Sequence, residues 1–335
     1  MKIKNTLTML STIIALTMMA MSAFSQNNTF SAPQNMGATL NTASNETNPI
    51  ISPNGLSLYF TSDRPSGQGG NDIWVSQRTT LNSTWGAPQN LGATVNSSSG
   101  DSITGLSRDG RLMLLNSTRP GGFGSNDVHL STRTNANNDF GWHTPVNLGA
   151  TINTTFIEIA ANFFEDPATG VVSLIFSSDR VGIPGQNFHF YQSTQHSDGT
   201  FTFPVLIDDL NSEGAEFGPT IRQDGLEIFF GSGRPGGLVF GVIDIWVSTR
   251  ASTSAPWNPP VLAVGINSLE EDRLPKLSPD GAVLYFHSSR TGGFGGFDLY
   301  SATRCSLYAV LPCSINPSGN GQTDDIRVFQ LSMDD

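Results

Sequence analysis

The chain has 335 residues and a formal net charge of −11, and charged residues make up only 13% of it. Phosphate binding needs clustered Lys and Arg, so this acidic chain is unsuited to nucleic acid. Hydrophobic residues make up 37%, which is ample material for a packed core over this length.

The N-terminus has the order of a secretory signal peptide. Lys2 and Lys4 precede an apolar run from about residue 7 to residue 21, and small residues follow before Gln26. This run is too short for a comfortable membrane span, and nothing later in the chain approaches one. We predict that residues 1–25 are removed, which moves the net charge to −13, and that the protein is secreted or periplasmic.

One sequence pattern recurs five times. In each copy a strand ends in a Ser-x-Arg type corner, a glycine-rich loop follows, and an aromatic strand led mostly by Asp comes next. The arginines of the five corners are Arg64, Arg119, Arg180, Arg234 and Arg290, with spacings of 55, 61, 54 and 56 residues. A period in this range, built of short strand patterns, is typical of a propeller or solenoid.

Each full unit contains four strand-like pieces. The first two join through tight turns such as Asn54-Gly55 and Asp280-Gly281, dipeptides that two-residue hairpins favour because they tolerate positive φ. The fourth piece is a Trp-x-x-Pro type phrase, as at Trp85.

The fourth piece is missing after the fifth copy, but a similar phrase begins at Phe30. An N-terminal strand near residues 29–41 would therefore complete the last blade and remove an open sheet edge. We predict an all-β fold, a five-bladed β-propeller over residues 26–304 that is closed by an N-terminal strand.

Both cysteines, Cys305 and Cys313, follow the last repeat. In an exported chain we expect a disulfide that staples the C-terminal tail, residues 305–335, rather than the body. The alternative is a thiol redox pair.

The fifth copy shows a resemblance to a known family. Ser278-Pro279-Asp280-Gly281, then Leu-Tyr-Phe and a glycine-rich loop before Asp-Leu-Tyr, resembles the WD-repeat-like β-propeller repeat of the TolB type. The resemblance covers nearly all of residues 40–305. It implies exported bacterial proteins, often periplasmic or linked to the outer membrane. Such families range from interaction scaffolds to polysaccharide lyases, so the resemblance constrains function weakly.

A carboxylate occupies the equivalent position at the start of every blade. These residues are Glu46, Asp101, Glu158, Glu216 and Asp272. In a propeller they should form a ring at the channel mouth, on the same face as the glycine-rich loops. The favoured interpretation is structural, with each carboxylate paired to an arginine or to loop N–H groups. The alternatives are a ligand or Ca²⁺ site, or the acid and base of a glycosidase.

Differences between the blades are the better guide to a site. Glu213, Glu270 and Glu271 add carboxylates to the entrance of blades 4 and 5, and His189 stands where the other blades have Asp. A lone His on an aromatic strand is more often a hydrogen-bonded structural residue. The chain contains no zinc-binding motif and no Gly-x-Ser-x-Gly elbow.

Three glycine-rich loops contain a phenylalanine, namely Phe123, Phe240 and Phe294. Exposed rings would give this face an aromatic character suited to sugars or to a protein partner. We expect instead that the three rings fold inward over their loops.

These observations favour a non-enzymatic module that binds a protein or polysaccharide at the cell envelope through its glycine-rich face. The alternative is a carbohydrate-active enzyme, a glycosidase or polysaccharide lyase, that uses ring carboxylates such as Glu216 and Asp272 with His189 or an arginine. No cofactor is predicted, with Ca²⁺ left open.

Overall fold

The computed structural model describes residues 30–181 and 187–305. This part of the chain forms five four-stranded antiparallel sheets, so the predicted all-β five-bladed propeller is confirmed. Within it, no helix is long and apolar enough to cross a membrane. Cys305 is disulfide-bonded. The predicted signal peptide and the tail beyond Cys305 lie outside the described residues.

Each of the first four blades uses four consecutive strands, with the innermost strand first. Blade 1 contains β2 (Glu46–Ile51), β3 (Ser57–Ser62), β4 (Asp72–Gln77) and β5 (Gln89–Asn90). Blade 2 contains β6 (Asp101–Leu106), β7 (Leu112–Ser117), β8 (Asp127–Thr132) and β9 (Val146–Asn147). Blade 3 contains β10 (Glu158–Glu165), β11 (Val172–Ser178), β12 (His189–Thr194) and β13 (Val205–Leu206). Blade 4 contains β14 (Glu216–Ile221), β15 (Glu227–Ser232), β16 (Asp244–Thr249) and β17 (Val261–Leu262).

Blade 5 is assembled from both ends of the repeat region. It contains β18 (Asp272–Leu277), β19 (Val283–Ser288) and β20 (Asp298–Thr303), and its outer strand is β1 (Gln34–Asn35). Gln34 pairs with Ser301, and Asn35 pairs with Tyr300. The predicted closure by an N-terminal strand is therefore confirmed, and the ring has no unpaired blade edge at this point.

The hairpins between first and second strands follow from their turn residues. In blade 1 the Ser52 hydroxyl donates to Asn54 Oδ1 at 2.7 Å, and Gly55 N donates to Ser52 O at 2.8 Å. Gly55 has a φ of 73°, which glycine adopts without steric cost. Asp280 organises the blade 5 turn in the same way, accepting from Ala282 N at 3.0 Å.

The hydrophobic core lies between neighbouring blades. Phe190 of blade 3 packs edge-on against Phe230 of blade 4, with ring centroids 5.3 Å apart, and both are fully buried. The second strands β3 and β15 are buried along their whole length because sheets cover both of their faces. Each blade is thus stabilised mainly by its neighbours, so closure of the ring contributes to the stability of all five.

Every innermost strand contains a bulge where its pairing with the second strand shifts register. Asn48, Ala160 and Leu274 take positive φ values there, between 49° and 56°, and Gly218 takes 60°. A bulge bends its strand and re-aims the side chains beyond it. The two ends of each inner strand therefore present different residues to the central channel.

The contribution of ring closure to the free energy of unfolding can be measured by replacing Phe30. This ring is 2% exposed and lies edge-on to Phe229 of blade 4, at 5.7 Å between centroids. We expect Phe30→Ala to lower the free energy of unfolding by about 3–5 kcal/mol, because it leaves a cavity at the seam. Urea denaturation gives the value, and Phe203→Ala is the matched control because Phe203 is 80% exposed. Equal effects of the two substitutions would contradict a stabilising role for the seam.

Candidate functional site

The five ring carboxylates begin the five innermost strands, and all five are fully buried. Each sits at a junction between blades. Glu216 N donates to Phe188 O of the preceding blade at 2.9 Å, and Asp272 N donates to Ile243 O at 3.0 Å. The predicted ring therefore exists, on the face of the propeller that carries the glycine-rich loops.

Every ring carboxylate forms an ion pair with the corner arginine of its own blade. The distances are 3.0 Å for Arg64–Glu46, 2.6 Å for Arg119–Asp101, 3.0 Å for Arg180–Glu158, 3.2 Å for Arg234–Glu216 and 2.5 Å for Arg290–Asp272. The pairing that the structural interpretation predicted is confirmed. A ligand-binding role for the ring stays a prediction.

The corner arginines are satisfied beyond the ion pair. In blade 1, Arg64 Nε donates to Ser62 Oγ at 3.0 Å and Nη2 donates to Leu40 O at 2.6 Å. The guanidinium lies over the Phe60 ring, 5.0 Å from its centroid. A buried ion pair is tolerated when extra hydrogen bonds offset its desolvation, and losing one partner then costs several kcal/mol.

Glu158 shows how a ring carboxylate is normally held. Its Oε2 accepts from Thr154 N at 2.8 Å, and its Oε1 accepts from Thr154 Oγ1 at 2.7 Å and Ser178 Oγ at 2.9 Å. In three further blades a backbone N–H also binds the outer oxygen. These donors are Thr42 N to Glu46, Ser97 N to Asp101 and Ser268 N to Asp272.

Glu216 is the exception in the ring. Its Oε1 accepts from the hydroxyls of Ser212 and Ser232 and from Arg234, but within the described residues its buried Oε2 has no hydrogen-bond donor. Burial raises the pKa of this carboxyl above its ordinary value of 4.5, against the opposing effects of Ser212 and Arg234. The ring is therefore incomplete at the junction of blades 3 and 4.

His189 lies beside this incomplete position. Its Nδ1 is 3.6 Å from Glu216 Oε2. This Nδ1 atom is itself buried and has no hydrogen-bond partner in the described part of the chain. The side chain remains 19% exposed, whereas Glu216 is inaccessible. His189 thus connects a buried carboxyl to the surface of the propeller.

The other blades have an Asp at the position of His189, and these Asp side chains hold the glycine-rich loops. They accept from loop N–H groups, namely Gln68 N to Asp72, Phe123 N to Asp127, Leu238 N to Asp244 and Phe294 N to Asp298. A carboxylate can accept hydrogen bonds through both oxygens, whereas a neutral imidazole accepts through one ring nitrogen and a cationic imidazole through neither. His189 therefore lacks the loop-binding function of these Asp residues and places an imidazole beside Glu216.

A cavity of about 290 Å³ opens at the channel mouth. Its polar lining includes Asn48, Asn116 and Arg273, and Phe217 forms part of its wall. Phe217 packs on Phe188, the residue before His189, with ring centroids 5.1 Å apart. Neither His189 nor Glu216 lines this cavity, and the contact between Phe217 and Phe188 connects it to the two segments that carry them.

The extra carboxylates that the sequence analysis named differ from Glu216 in their partners and in their exposure to solvent. Glu271 pairs with Arg273 at 2.6 Å, and Glu213 is exposed. Arg273 was missed by the sequence analysis, although it directly follows Asp272 at a position where no other blade has a charged residue. That asymmetry was the available signal.

The three loop phenylalanines are exposed, by 47% for Phe123, 97% for Phe240 and 50% for Phe294. The expectation that they fold inward was wrong. The reason is visible in the loops of Phe123 and Phe294, whose backbone N–H groups bind Asp127 and Asp298 at 2.6 Å. The loop backbone turns toward the blade, which leaves the side chain outside.

Within the described residues, no group of three or more His, Cys, Asp or Glu side chains could hold a metal ion. The Ca²⁺ ion that the sequence left open stays a prediction.

No protein-family model matches the chain, and no curated protein matches it. Solved structures do match. The catalytic domain of the GH62 α-L-arabinofuranosidase from Coprinopsis cinerea is 13% identical, with 82% of this chain and 97% of that chain covered and a TM-score of 0.51. An α-L-arabinofuranosidase from Lactobacillus brevis is 12% identical, with 78% and 90% covered and a TM-score of 0.54.

A putative TolB from Agrobacterium tumefaciens also matches, at 18% identity with 82% of this chain and 91% of that chain covered and a TM-score of 0.45. The WD-repeat label suggested by the sequence is not confirmed. At these identities a likeness concerns the fold, and it leaves function to the site.

The comparisons nevertheless correct the first functional prediction. The non-enzymatic binding module was favoured because the repeats are nearly uniform and carry no recognised catalytic motif. Several of the matching structures are glycoside hydrolases, so propellers with a similar fold support catalysis in other proteins. The prediction of a non-enzymatic module is therefore wrong.

The difference between Glu216 and its counterparts can be tested on stability. We expect Glu158→Gln to lower the free energy of unfolding by about 3–5 kcal/mol, because it breaks a fully satisfied buried pair. Glu216→Gln should lower it by less than Glu158→Gln does. Both substitutions break the pair with the corner arginine, but Glu216 Oε2 has no donor to lose and the new NH₂ can donate to His189. Urea denaturation at neutral pH measures both values, and equal losses would contradict the exceptional status of Glu216.

The sign of the pH dependence follows from the raised pKa of Glu216. The folded protein binds this proton more tightly than the unfolded chain does. The group therefore contributes stability at low pH that is lost as pH rises from 4.5 through the raised pKa. Relative to the wild type, Glu216→Gln should gain stability over that interval.

Proposed function

We propose that this protein is a carbohydrate-active enzyme that cleaves glycosidic bonds, with His189 as its proton-transfer group and Glu216 as the carboxyl that positions it. One observation carries the proposal. In the described residues, the His189–Glu216 junction is the place where the repeated loop-binding Asp is lost and a ring oxygen is left without a donor.

The pair has the chemistry that general acid–base catalysis needs. Histidine is the most common general acid and base, and a carboxyl group behind one ring nitrogen orients the imidazole. Glu216 Oε2 faces Nδ1, so the second ring nitrogen is the one available for a substrate or a water molecule. The buried Glu216 does not itself reach a substrate.

Two reactions can begin with such a proton transfer. In hydrolysis the imidazole would activate a water molecule or protonate the leaving oxygen. In elimination it would take the proton from the carbon beside the carboxylate of a uronic acid residue. The bond from the next carbon to the glycosidic oxygen would break as the double bond forms, and the leaving oxygen would take a proton from water. Both belong to the carbohydrate-active alternative, and their products distinguish them.

The surroundings suit a glycan. Among the residues that line the mouth cavity, Arg273 Nε and Asn126 Oδ1 have no hydrogen-bond partner in the described part of the chain, so they can bind sugar hydroxyl groups. The exposed rings of Phe123 and Phe294 stand on glycine-rich loops of the same face, where they offer apolar surfaces to the flat sides of sugar rings. The predicted signal peptide would place this face in the periplasm or outside the cell, where polysaccharides are the available substrates.

A substitution at His189 tests the proposal. We expect His189→Gln to lower kcat by about 10²–10⁴-fold, because Gln cannot exchange a proton at neutral pH. The melting temperature should stay close to that of the wild type, since Nδ1 makes no hydrogen bond in the described structure. His196→Gln is the matched control, because His196 is exposed on a hairpin away from the mouth.

Activity is measured on a panel of neutral and uronic-acid polysaccharides. New reducing ends without unsaturation indicate hydrolysis, and products with ultraviolet absorbance from a double bond indicate elimination. A folded His189→Gln protein with wild-type turnover would remove His189 from the mechanism. Failure of the folded wild type to cleave any member of the panel would contradict the enzyme proposal.

A further inference from the structure

Lys276 is the only lysine after residue 4, so a chain that otherwise uses arginine for its cations keeps one lysine in its predicted mature form. The residue lies on β18, below the bulge, in the lower half of the central channel. Other blades have Ile50, Gly105, Asn162 and Thr220 at the equivalent position. Lys276 is thus a feature of one blade and serves no role that the repeat requires.

The amine of Lys276 is buried with little compensation. The residue is 6% exposed, and its one hydrogen bond, from Nζ to Pro219 O, is long at 3.4 Å. No carboxylate forms an ion pair with it in the described part of the chain. Burial alone lowers the pKa of this amine to about 7. An ammonium group in such a place is costly unless an anion accompanies it.

A cavity of about 380 Å³ adjoins this amine. Its volume lies within the range of small-ligand sites, roughly 300–1,000 Å³. Ile50, Phe163 and Leu277 supply apolar walls, while exposed turn residues such as Arg108 form its rim. The cavity therefore opens on the face of the hairpin turns, opposite the His189–Glu216 site.

The side chains of Asn162 and Lys276, which line the cavity, both donate to the same carbonyl oxygen. Asn162 Nδ2 donates to Pro219 O at 3.1 Å, and Lys276 Nζ reaches the same oxygen at 3.4 Å. A single carbonyl does not exhaust the three N–H bonds of an ammonium group. An oxygen atom of a ligand could be bound by the same amide and amine, with Lys276 as its counter-ion.

We propose that the lower channel cavity binds a small organic carboxylate, held by Lys276 and Asn162. A carboxylate neutralises the single buried ammonium, and its carbon skeleton fits the apolar walls. Inorganic phosphate would bring a second charge that the cavity does not match. Of the two arginines that line the cavity, Arg108 is exposed at the rim, and Arg222 is already held by Asp224 and Glu227 at 2.7 and 3.0 Å.

The site is independent of the proposed catalytic pair, since the two lie at opposite ends of the channel and share no lining residue. Loss of carboxylate binding would leave the enzyme proposal intact, and loss of glycan cleavage would leave this one intact.

Binding should depend on pH in a definite direction. Besides Lys276, the charged groups that line the cavity are Arg108, Asp109, Glu165 and Arg222. A bound carboxylate raises the pKa of the Lys276 amine above its free value of about 7. The affinity should therefore fall as pH rises above 7, by up to tenfold per pH unit over the interval between the two values.

The experiment uses the full protein and measures thermal unfolding and titration calorimetry at pH 6.5. The probes are acetate, benzoate and glucuronate, with acetamide, benzamide and glucose as uncharged partners. We expect at least one carboxylate to bind and to raise the melting temperature, while its uncharged partner does neither. Lys276→Met keeps the length of the side chain and removes the charge, so it should abolish the response. Arg108→Met, which changes an exposed rim cation, should retain binding.

A second measurement needs no variant. With one lysine after residue 4, reductive methylation followed by peptide mass spectrometry reports the accessibility of Lys276 directly. A binding carboxylate should slow its modification several-fold, and the uncharged partner should not. The proposal is overturned if no carboxylate of the panel binds or protects the wild type, or if folded Lys276→Met responds as the wild type does.

Discussion

The buried arginine–carboxylate pair at each blade junction is the interaction on which the rest of this structure depends. A carboxylate with no access to water is stabilised by hydrogen-bond donors to both of its oxygens. Here the donors come from the corner arginine, from a serine of the second strand and from the loop that enters the inner strand, as around Glu158. One pair therefore fixes the relative positions of three segments, and five copies define the mouth of the channel.

Because this arrangement repeats, a departure from it carries information that a single unusual residue would not. Glu216 keeps the ion pair with Arg234 but lacks the backbone donor that its four counterparts have. His189 occupies the neighbouring position of a loop-binding Asp. Two departures at one junction cost stability together, and a repeat protein could restore the regular residues at either position. The proposed proton transfer would use both departures.

Much of this architecture could be predicted from the sequence because the repeat aligns its own parts. The blade number, the ring carboxylates and the closing strand β1 all follow from counting equivalent phrases. The missing donor at Glu216 could not be predicted, since Ser212 aligns with Thr154 and has a similar hydroxyl. Nor could the outward direction of Phe123, which depends on where its own N–H binds. The functional prediction failed because uniform repeats were taken as a sign of a passive scaffold.

The two ends of the channel differ because each inner strand bends at its bulge. Above the bulge, the carboxylates are matched by arginines that stay charged at all relevant pH values. Below it, Lys276 has no such match, and a lysine is the cation whose charge burial can remove. An arginine there would be permanently charged and would require a permanent partner. A lysine permits an empty cavity with a neutral amine and an occupied one with an ion pair, so the choice of residue itself favours a site that fills and empties.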